Sequence, residues 1–365
     1  MSIKFSSKIL LLTRYNDRGA SSRLRFLQYI PYLEGNKISI TTSAFFDDEY
    51  TKLLNINNKR LTLSVSKSFI RRFFIFLTVF KYDLIWIEKE IFPYLPAWFE
   101  KILKLVGKPY VVDYDDAIFH DYDLSKNFLV KNLLVNKISD VMKNAESVIV
   151  GNQYLANYAK NAKSTSINIV PTVVDPKRYN YKKKDLNKSL VIGWIGSRFT
   201  QKYLLSIYEA LLAVYNSHKT RLLLVGATQE ISNKLQGLKF DIVPWSKDNE
   251  CELIQQMDIG IMPLIDGPWE RGKCGYKLIQ YMACSIPVIA SSVGANIDIV
   301  KKSDSGFLAE NIQAWQNSLI QLLDNPEERQ KFGKLGRKAV ENFYSSKVQA
   351  PLMRDILNNA VKFKS

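Results

Sequence analysis

The amino-acid sequence predicts an α/β protein built from two doubly wound, Rossmann-like domains that face each other across a cleft. Three observations carry the prediction. At 365 residues with 47% hydrophobic content, the chain exceeds what one core encloses. Apolar strand-like runs alternate with helical patterns, the signature of parallel sheets. The alternation stops at a polar, lysine-rich stretch and then begins again.

Taken in order, the first set of strands is KILLLTR (8–14), KISITTS (37–43), YDLIWIEK (82–89), PYVVDYD (109–115), SVIVGN (147–152) and SINIVPT (166–172). Amphipathic patterns such as SSRLRFLQYIPYLEG (21–35) supply helices between them. The apolar run Ile9 to Leu12 is too short for a signal peptide and reads as the first buried strand. VDPKRYNYKKKDLNKS (174–189) has no apolar periodicity and reads as a linker. The second set is SLVIGWIGS (189–197), TRLLLVG (220–226), FDIVPW (240–245), DIGIMPL (258–264) and PVIASS (287–292). The predicted domains are 1–187 and 188–344, followed by a terminal helix over 345–365.

Composition narrows the function. Three cysteines (Cys251, Cys274, Cys284) and two histidines (His120, His218) support neither a disulfide framework nor a zinc site, and they fit a reducing cytoplasm. The net charge of +16 is uneven: 29 basic against 18 acidic residues over 1–187, and 22 against 17 over 188–365. The first half is therefore expected to face something anionic. Between Lys59 and Lys81 lie six basic residues, no acidic ones, and the apolar run Phe73 to Phe80 broken only by Thr78. Two readings of this stretch stand side by side: an interfacial segment that docks Arg71, Arg72 and Phe73 on anionic lipid, or a core helix with a solvated basic edge. No nucleic-acid recognition motif accompanies the charge, so nucleic acid is not an expected partner.

Ligands of doubly wound sheets sit at the carboxyl ends of the strands. GWIGSRFTQKYLLSIYEAL (193–211) is the first such turn of the second domain, with Gly193, Gly196 and Ser197 before a helix. A helix start suits a phosphate, and Arg198 and Lys202 add positive charge for a diphosphate; a plain helix cap is the other reading. The stretch is neither a P-loop nor GxGxxG, so no dinucleotide cofactor is expected.

These residues, with DIGIMPLIDGPWERGKCGYKLIQYMACSIPVIASSVGANIDIV (258–300) and SGFLAE (305–310), resemble the C-terminal domain of group 1 (family 4-like) glycosyltransferases of GT-B fold. RGASSRLRFLQYIPYLEG (18–35) and PYVVDYDDAIF (109–119) are similar to a bacterial subgroup that builds surface polysaccharides, so the resemblance covers nearly the whole chain. It implies a retaining enzyme that takes a nucleotide-diphosphate sugar in its C-terminal domain, a glycan or lipid-linked acceptor in its N-terminal domain, and no cofactor. It also implies that the terminal helix crosses back to the N-terminal domain.

The family carries two glutamates, with seven residues between them, that flank a glycine-containing loop. Here Gly272 and Gln280 stand at those positions, Gly275 keeps the loop glycine, and Ser285 replaces another. A glutamine amide still bonds two ribose hydroxyls, without the charge. The resemblance places Gly272, Lys273, Gly275, Lys277 and Gln280 at the donor, with Glu270 taking over a sugar contact and Trp245 at the nucleobase. Solvated lysines and an ordinary edge-of-core tryptophan are the alternatives.

In the first domain, Gly19, Ser21, Ser22 and Arg23 form the loop expected to face the donor phosphates. DYDDAIFHDY (113–122) ends a strand with Asp113, Asp115 and Asp116, which repel one another unless something neutralises them. Asp115 or Asp116 matches the family's residue near the acceptor and the reacting carbon, and His120 is either an acid or base or a structural residue. A pair of aspartates suits Mg²⁺, but the fold class implies transfer without a metal. The expected location is the cytoplasm, with peripheral docking on the inner face of the membrane as a second option. Loss of both family glutamates leaves a second function open: a non-catalytic GT-B-like partner or scaffold subunit.

Overall fold

The computed structural model describes residues 6–47, 50, 62–179 and 189–362. The chain groups into two compact units: Met1–Thr172 with Gln349–Ser365, and Val173–Val348.

The first unit holds a six-stranded parallel sheet: β1 (Ser7–Thr13), β2 (Ile38–Ala44), β3 (Leu84–Glu88), β4 (Tyr110–Tyr114), β5 (Ser147–Val150) and β6 (Ile167–Ile169), in the order β2-β1-β3-β4-β5-β6. β3, β4 and β5 are buried at every position, which is why they read as unbroken apolar runs: helices cover both faces. The order reverses between β1 and β3, whose pairing runs from Ile9 opposite Leu84 to Leu12 opposite Ile87.

The second unit holds β7 (Val191–Ile195), β8 (Arg221–Val225), β9 (Phe240–Val243), β10 (Ile259–Met262), β11 (Val288–Ser291) and β12 (Gly306–Ala309), all parallel, in the order β12-β11-β10-β7-β8-β9. Reversal here falls between β7 and β10. Alternate strand residues feed two cores: Ile195, Val225 and Met262 pack with helix Tyr276–Ala283, while Trp194, Leu224 and Ile261 pack with helices Tyr208–His218 and Ile312–Asp324.

Two expectations change. β12 was not read as a strand, because its four residues open on glycine and three are only half-buried at the sheet edge. The units part at 172/173 rather than 187/188. Val174 exchanges backbone hydrogen bonds with Tyr344 and Ser346 at 3.0 and 2.9 Å, and buried Tyr179 donates to Glu250, so 174–179 belongs to the second unit; the remaining linker residues, 180–188, lie outside the described residues. The terminal helix runs Ser346–Lys362, and from Gln349 onward it groups with the first unit.

Helix Tyr276–Ala283 is framed by two left-handed residues, Gly275 (φ 64°) before it and Ser285 (φ 58°) after Cys284. Glycine enters this region freely, whereas another residue is strained by about 1–2 kcal/mol. Ser285→Gly is therefore expected to raise stability by about 0.5–1 kcal/mol, after the larger entropy loss of glycine on folding, measured by chemical denaturation.

Candidate functional site

β7 and β10 pair only at Ile192–Gly193 and Ile259–Gly260, so their carboxyl ends separate beyond that point. Tyr281, fully buried, fills the opening: its hydroxyl accepts from Ile195 N at 2.9 Å and donates to Ile261 O at 3.3 Å. That fixes helix Tyr276–Ala283 at the crevice where ligands of doubly wound sheets sit. One turn earlier on the same face, the Lys277 ammonium lies 4.6 Å from the ring centroid of Trp194. Trp194 packs on the opposite face of the sheet from Leu278 and Ile279, so the lysine side chain passes over the strand ends.

No carboxylate pairs with Lys277 among the described residues. Burial, with repulsion from Lys273 added, lowers its ammonium to about 7. Gln280, three residues on, is 3% exposed and has no side-chain hydrogen-bond partner among the described residues. The crevice thus holds an unpaired cation and an unpaired amide on one helix face.

The other predicted residues of the second unit lie on the segments that follow β7, β9 and β10. Gly196 abuts the Trp194 ring, where an added Cβ would come within 2.3 Å. At Gly226 (φ 79°) a Cβ would meet Gly196 O at 2.4 Å and Trp245 Cβ at 3.3 Å, so the turns after β7, β8 and β9 touch. Trp245 is partly exposed, and its Nε1 donates to Glu250 Oε2 at 2.7 Å. Ser197 N is capped by Thr200 Oγ1 at 3.1 Å. Arg198 is 3.5 Å from Glu230, and exposed Lys202 lies 5.2 Å from the Tyr203 ring. Glu270 accepts from the Tyr203 hydroxyl at 2.5 Å, which ties it to the segment after β7 rather than to a loose surface loop. Gly272 (φ −77°) caps helix Pro268–Arg271 in an ordinary conformation, so its use is not conformational.

The first unit has its own centre at the carboxyl ends of β1, β3 and β4. Glu88, 2% exposed, accepts from Arg14 N at 2.7 Å and from the Ser22 hydroxyl at 2.6 Å, and Ser22 Oγ accepts from Tyr15 N at 3.0 Å. The fully buried Ser22 is thus occupied in shaping the loop after β1, not in offering a hydroxyl to a donor. Arg23 donates to Asp17 O at 2.7 Å, and Gly19 is required because a Cβ would lie 2.3 Å from Tyr15 Cβ.

The aspartates are neutralised in turn. Arg25 clamps Asp113 at 2.7 and 3.0 Å, and Lys89 holds Asp115 at 2.9 Å. Burial opposes ionisation of Asp115, but Lys89 and the Ser21 hydroxyl outweigh it and lower the pKa. Asp113 is instead pushed up to about 7 by burial, in spite of Arg25. Asp116 is half-buried beside them, adding to the field that raises the Lys89 pKa over its desolvation. Lys89 itself is left-handed (φ 68°), a strain typical of functional turns. His120 lies between Asp123 (2.8 Å) and the Tyr154 hydroxyl (2.9 Å), which accounts for it as a structural residue.

Sequence reasoning missed Glu88, Lys89, Arg14 and the buried Glu90–Lys137 pair that Tyr122 also bonds. The available signal was the charged triplet Glu-Lys-Glu (88–90) closing an otherwise apolar strand.

Residues 189–325 match the model of a family described as glycosyl transferases group 1. The capsular polysaccharide biosynthesis glycosyltransferase CapM of Staphylococcus aureus is 26% identical over 187 residues, 49% of this chain and 48% of CapM. The N-acetyl-alpha-D-glucosaminyl L-malate synthase of Bacillus anthracis is 30% identical over 151 residues, 39% of this chain and 38% of that protein. The chain thus spans about half, or less, of the length of the curated relatives it matches. Among solved structures, a sucrose-phosphate synthase from Thermosynechococcus elongatus has a TM-score of 0.73 at 17% identity, covering 98% of this chain and 100% of that one. Anabaena HepE in complex with UDP and glucose has a TM-score of 0.69 at 16% identity, covering 97% and 100%. The fold is GT-B, and the part of the second unit from 189 to 325 is similar to group 1 glycosyltransferases.

The lowered Lys277 pKa has a sign. The unfolded lysine keeps its proton up to about pH 10.5 while the folded one loses it near 7, so stability rises with pH across that window. Lys277→Met is expected to remove this component of the slope, read from denaturation midpoints at pH 6.5 and 9.5.

Proposed function

We propose that the chain is a retaining glycosyltransferase that moves a sugar from a nucleotide-diphosphate sugar to a glycan or lipid-linked acceptor in the making of a surface polysaccharide. The observation that carries the reading is the unpaired Lys277 ammonium beside the unpaired Gln280 amide at the β7/β10 crevice. A diphosphate supplies the counter-charge Lys277 lacks, and ribose hydroxyls suit an amide. Trp245 offers a face for the base, the Ser197 side chain and the Gly275 backbone line the approach, and Lys273 adds positive charge. The HepE structure with UDP and glucose and the capsular role in CapM's name support the substrate class by analogy.

In the proposed reaction the bond from the anomeric carbon to the diphosphate oxygen breaks as the bond to the acceptor oxygen forms on the same face. The acceptor's proton passes to the departing phosphate oxygen, so no side-chain nucleophile is needed. Arg198, Lys202 and Lys277 stabilise the growing charge on the leaving group. Asp115, held ionised by Lys89, and Asp116 are assigned to the acceptor.

The replacement of the family glutamate by Gln280 then has a reason. A carboxylate three residues from Lys277 would form an ion pair with it and compete with the diphosphate. Gln280→Glu is therefore expected to weaken binding of a nucleoside diphosphate in calorimetry. Lys277→Met and Lys202→Ala are each expected to lower turnover about ten- to two-hundredfold, the equivalent of roughly 1.5–3 kcal/mol for a hydrogen bond to a charged group. A thermal-shift screen of nucleotide sugars followed by product detection tests the whole reading. Binding with no transfer to any acceptor would favour a non-catalytic subunit, and no binding would remove the donor site.

The acceptor side points to a lipid surface. Helix Thr62–Phe76 and the turn after it expose Phe74 (63%), Leu77 (57%) and Phe80 (68%), and helix Trp98–Leu105 exposes Trp98 (59%) and Leu105 (86%). Phe99 packs against Phe73 and Phe76 at 6.4 and 5.0 Å, making the two helices neighbours. Lys67, Arg71 and Lys81 are exposed beside them, and no acidic residue occurs from 62 to 82. Arg72 is removed from the docking set: it is 2% exposed and bonds the strand-end carbonyls of Thr13 and Ser43 at 2.8 and 3.1 Å. Lys59 and Arg60 lie outside the described residues. No described helix is long and apolar enough to cross a membrane. Phe74→Ser with Leu77→Ser is expected to reduce co-sedimentation with anionic vesicles at least tenfold, and added salt to weaken the wild type. Equal binding to neutral vesicles would contradict the docking.

A further inference from the structure

The carboxyl ends of β10, β11 and β12, with Ser206 and Ile207 from the segment after β7, line an open pocket of about 480 Å³ that none of the donor residues touches. Its volume falls within the roughly 300–1,000 Å³ usual for small-molecule sites. The walls are fixed in advance. Ser291 Oγ accepts from Leu264 N at 2.9 Å, Asn311 Oδ1 accepts from Ala314 N at 2.9 Å, and the Ser206 hydroxyl donates to Tyr203 O at 2.8 Å.

The lining chemistry differs from that of the crevice. No lysine or arginine is present, whereas Asp266 and Glu310 are, so phosphate and carboxylate ligands are repelled. Cations are not favoured either, because Arg271 bonds both Asp266 oxygens at 2.7 and 2.9 Å and leaves only the exposed Glu310 uncompensated. What remains is a set of hydrogen-bonding groups: the hydroxyl of Ser292, the amide of Asn311, the spare lone pairs of the Arg271-neutralised Asp266, and the charged, exposed carboxylate of Glu310 as an acceptor. Trp315, Leu264 and Val293 supply the apolar part. Adjacent hydroxyls with a C–H face are the ligand chemistry that fits both parts.

We propose that this cavity is a subsite for a neutral saccharide unit, separate from the nucleotide-sugar crevice. Its chemistry does not depend on the transfer reaction, so it can fail while the donor reading stands, and the reverse.

Saturation-transfer NMR on the full-length protein tests it, with methyl α-glucoside and maltose as probes and glucose 6-phosphate as the charged control, each with and without UDP. The expected result is transfer to the neutral sugars at millimolar concentration, little to the phosphate, and no displacement by UDP. Ser292→Phe, which fills the cavity, is expected to weaken binding at least tenfold, and Glu310→Gln severalfold. Should Ser292→Phe fail to fold by circular dichroism, Glu310→Gln decides. The proposal is overturned by absence of transfer to either neutral sugar, preference for the phosphate, undiminished binding in the folded variants, or displacement by UDP.

Discussion

One hydroxyl organises the second unit. Where β7 and β10 cease to pair, two backbone groups at the heart of a parallel sheet would be left without partners, and the Tyr281 hydroxyl takes both, accepting from Ile195 N and donating to Ile261 O. Orphaning Ile195 N would cost about 1–3 kcal/mol. The ring reaches that position only because β10 carries Gly260, where a Cβ would come within 2.4 Å of it. Once Tyr281 is fixed, the face of its helix is fixed too. Lys277 and Gln280, four residues and one residue before Tyr281, are carried to the crevice by helical geometry.

The first unit meets the same constraint with a charge. β1 and β3 diverge at their carboxyl ends, and the Glu88 carboxylate takes Arg14 N and the Ser22 hydroxyl there. A buried carboxylate is costly unless it is well partnered, and Arg25–Asp113, Lys89–Asp115 and Lys137–Glu90 lie in the same region. Such pairs contribute little net stability compared with apolar packing, but losing one partner would be expensive. Their value lies in fixing how the loops after β1, β3 and β4 are held. In each unit a polar side chain continues the hydrogen bonding where the ladder stops, and the candidate chemistry gathers beside it.

Much of this was legible in the sequence. The buried central strands announced themselves as apolar runs, and Gly275, Lys277 and Gln280 stood out as polar or flexible residues in an otherwise apolar helix. Their physical roles were less legible. Nothing in the one-dimensional pattern says that Tyr281 spans two strands, that Arg72 is buried while Arg71, which also bonds a strand end at Ala44 O, stays exposed, or that Ser22 is occupied by Glu88, because each depends on long-range pairing. β12 escaped because a four-residue edge strand that opens on glycine has no run long enough to read. The pocket beside it escaped for a related reason: its lining comes from four separate chain segments, none unusual alone.

The central claim is that Lys277 is held unpaired at the crevice to receive a diphosphate. Its most direct test is the titration of the Lys277 side chain by NMR, with specifically labelled lysine and Lys277→Met for assignment, in the absence and presence of saturating UDP or GDP. The account predicts a midpoint near 7 without nucleotide, moved upward by at least one pH unit when the diphosphate binds. A midpoint near the ordinary lysine value in the free protein, or one that the nucleotide leaves unmoved, would contradict it.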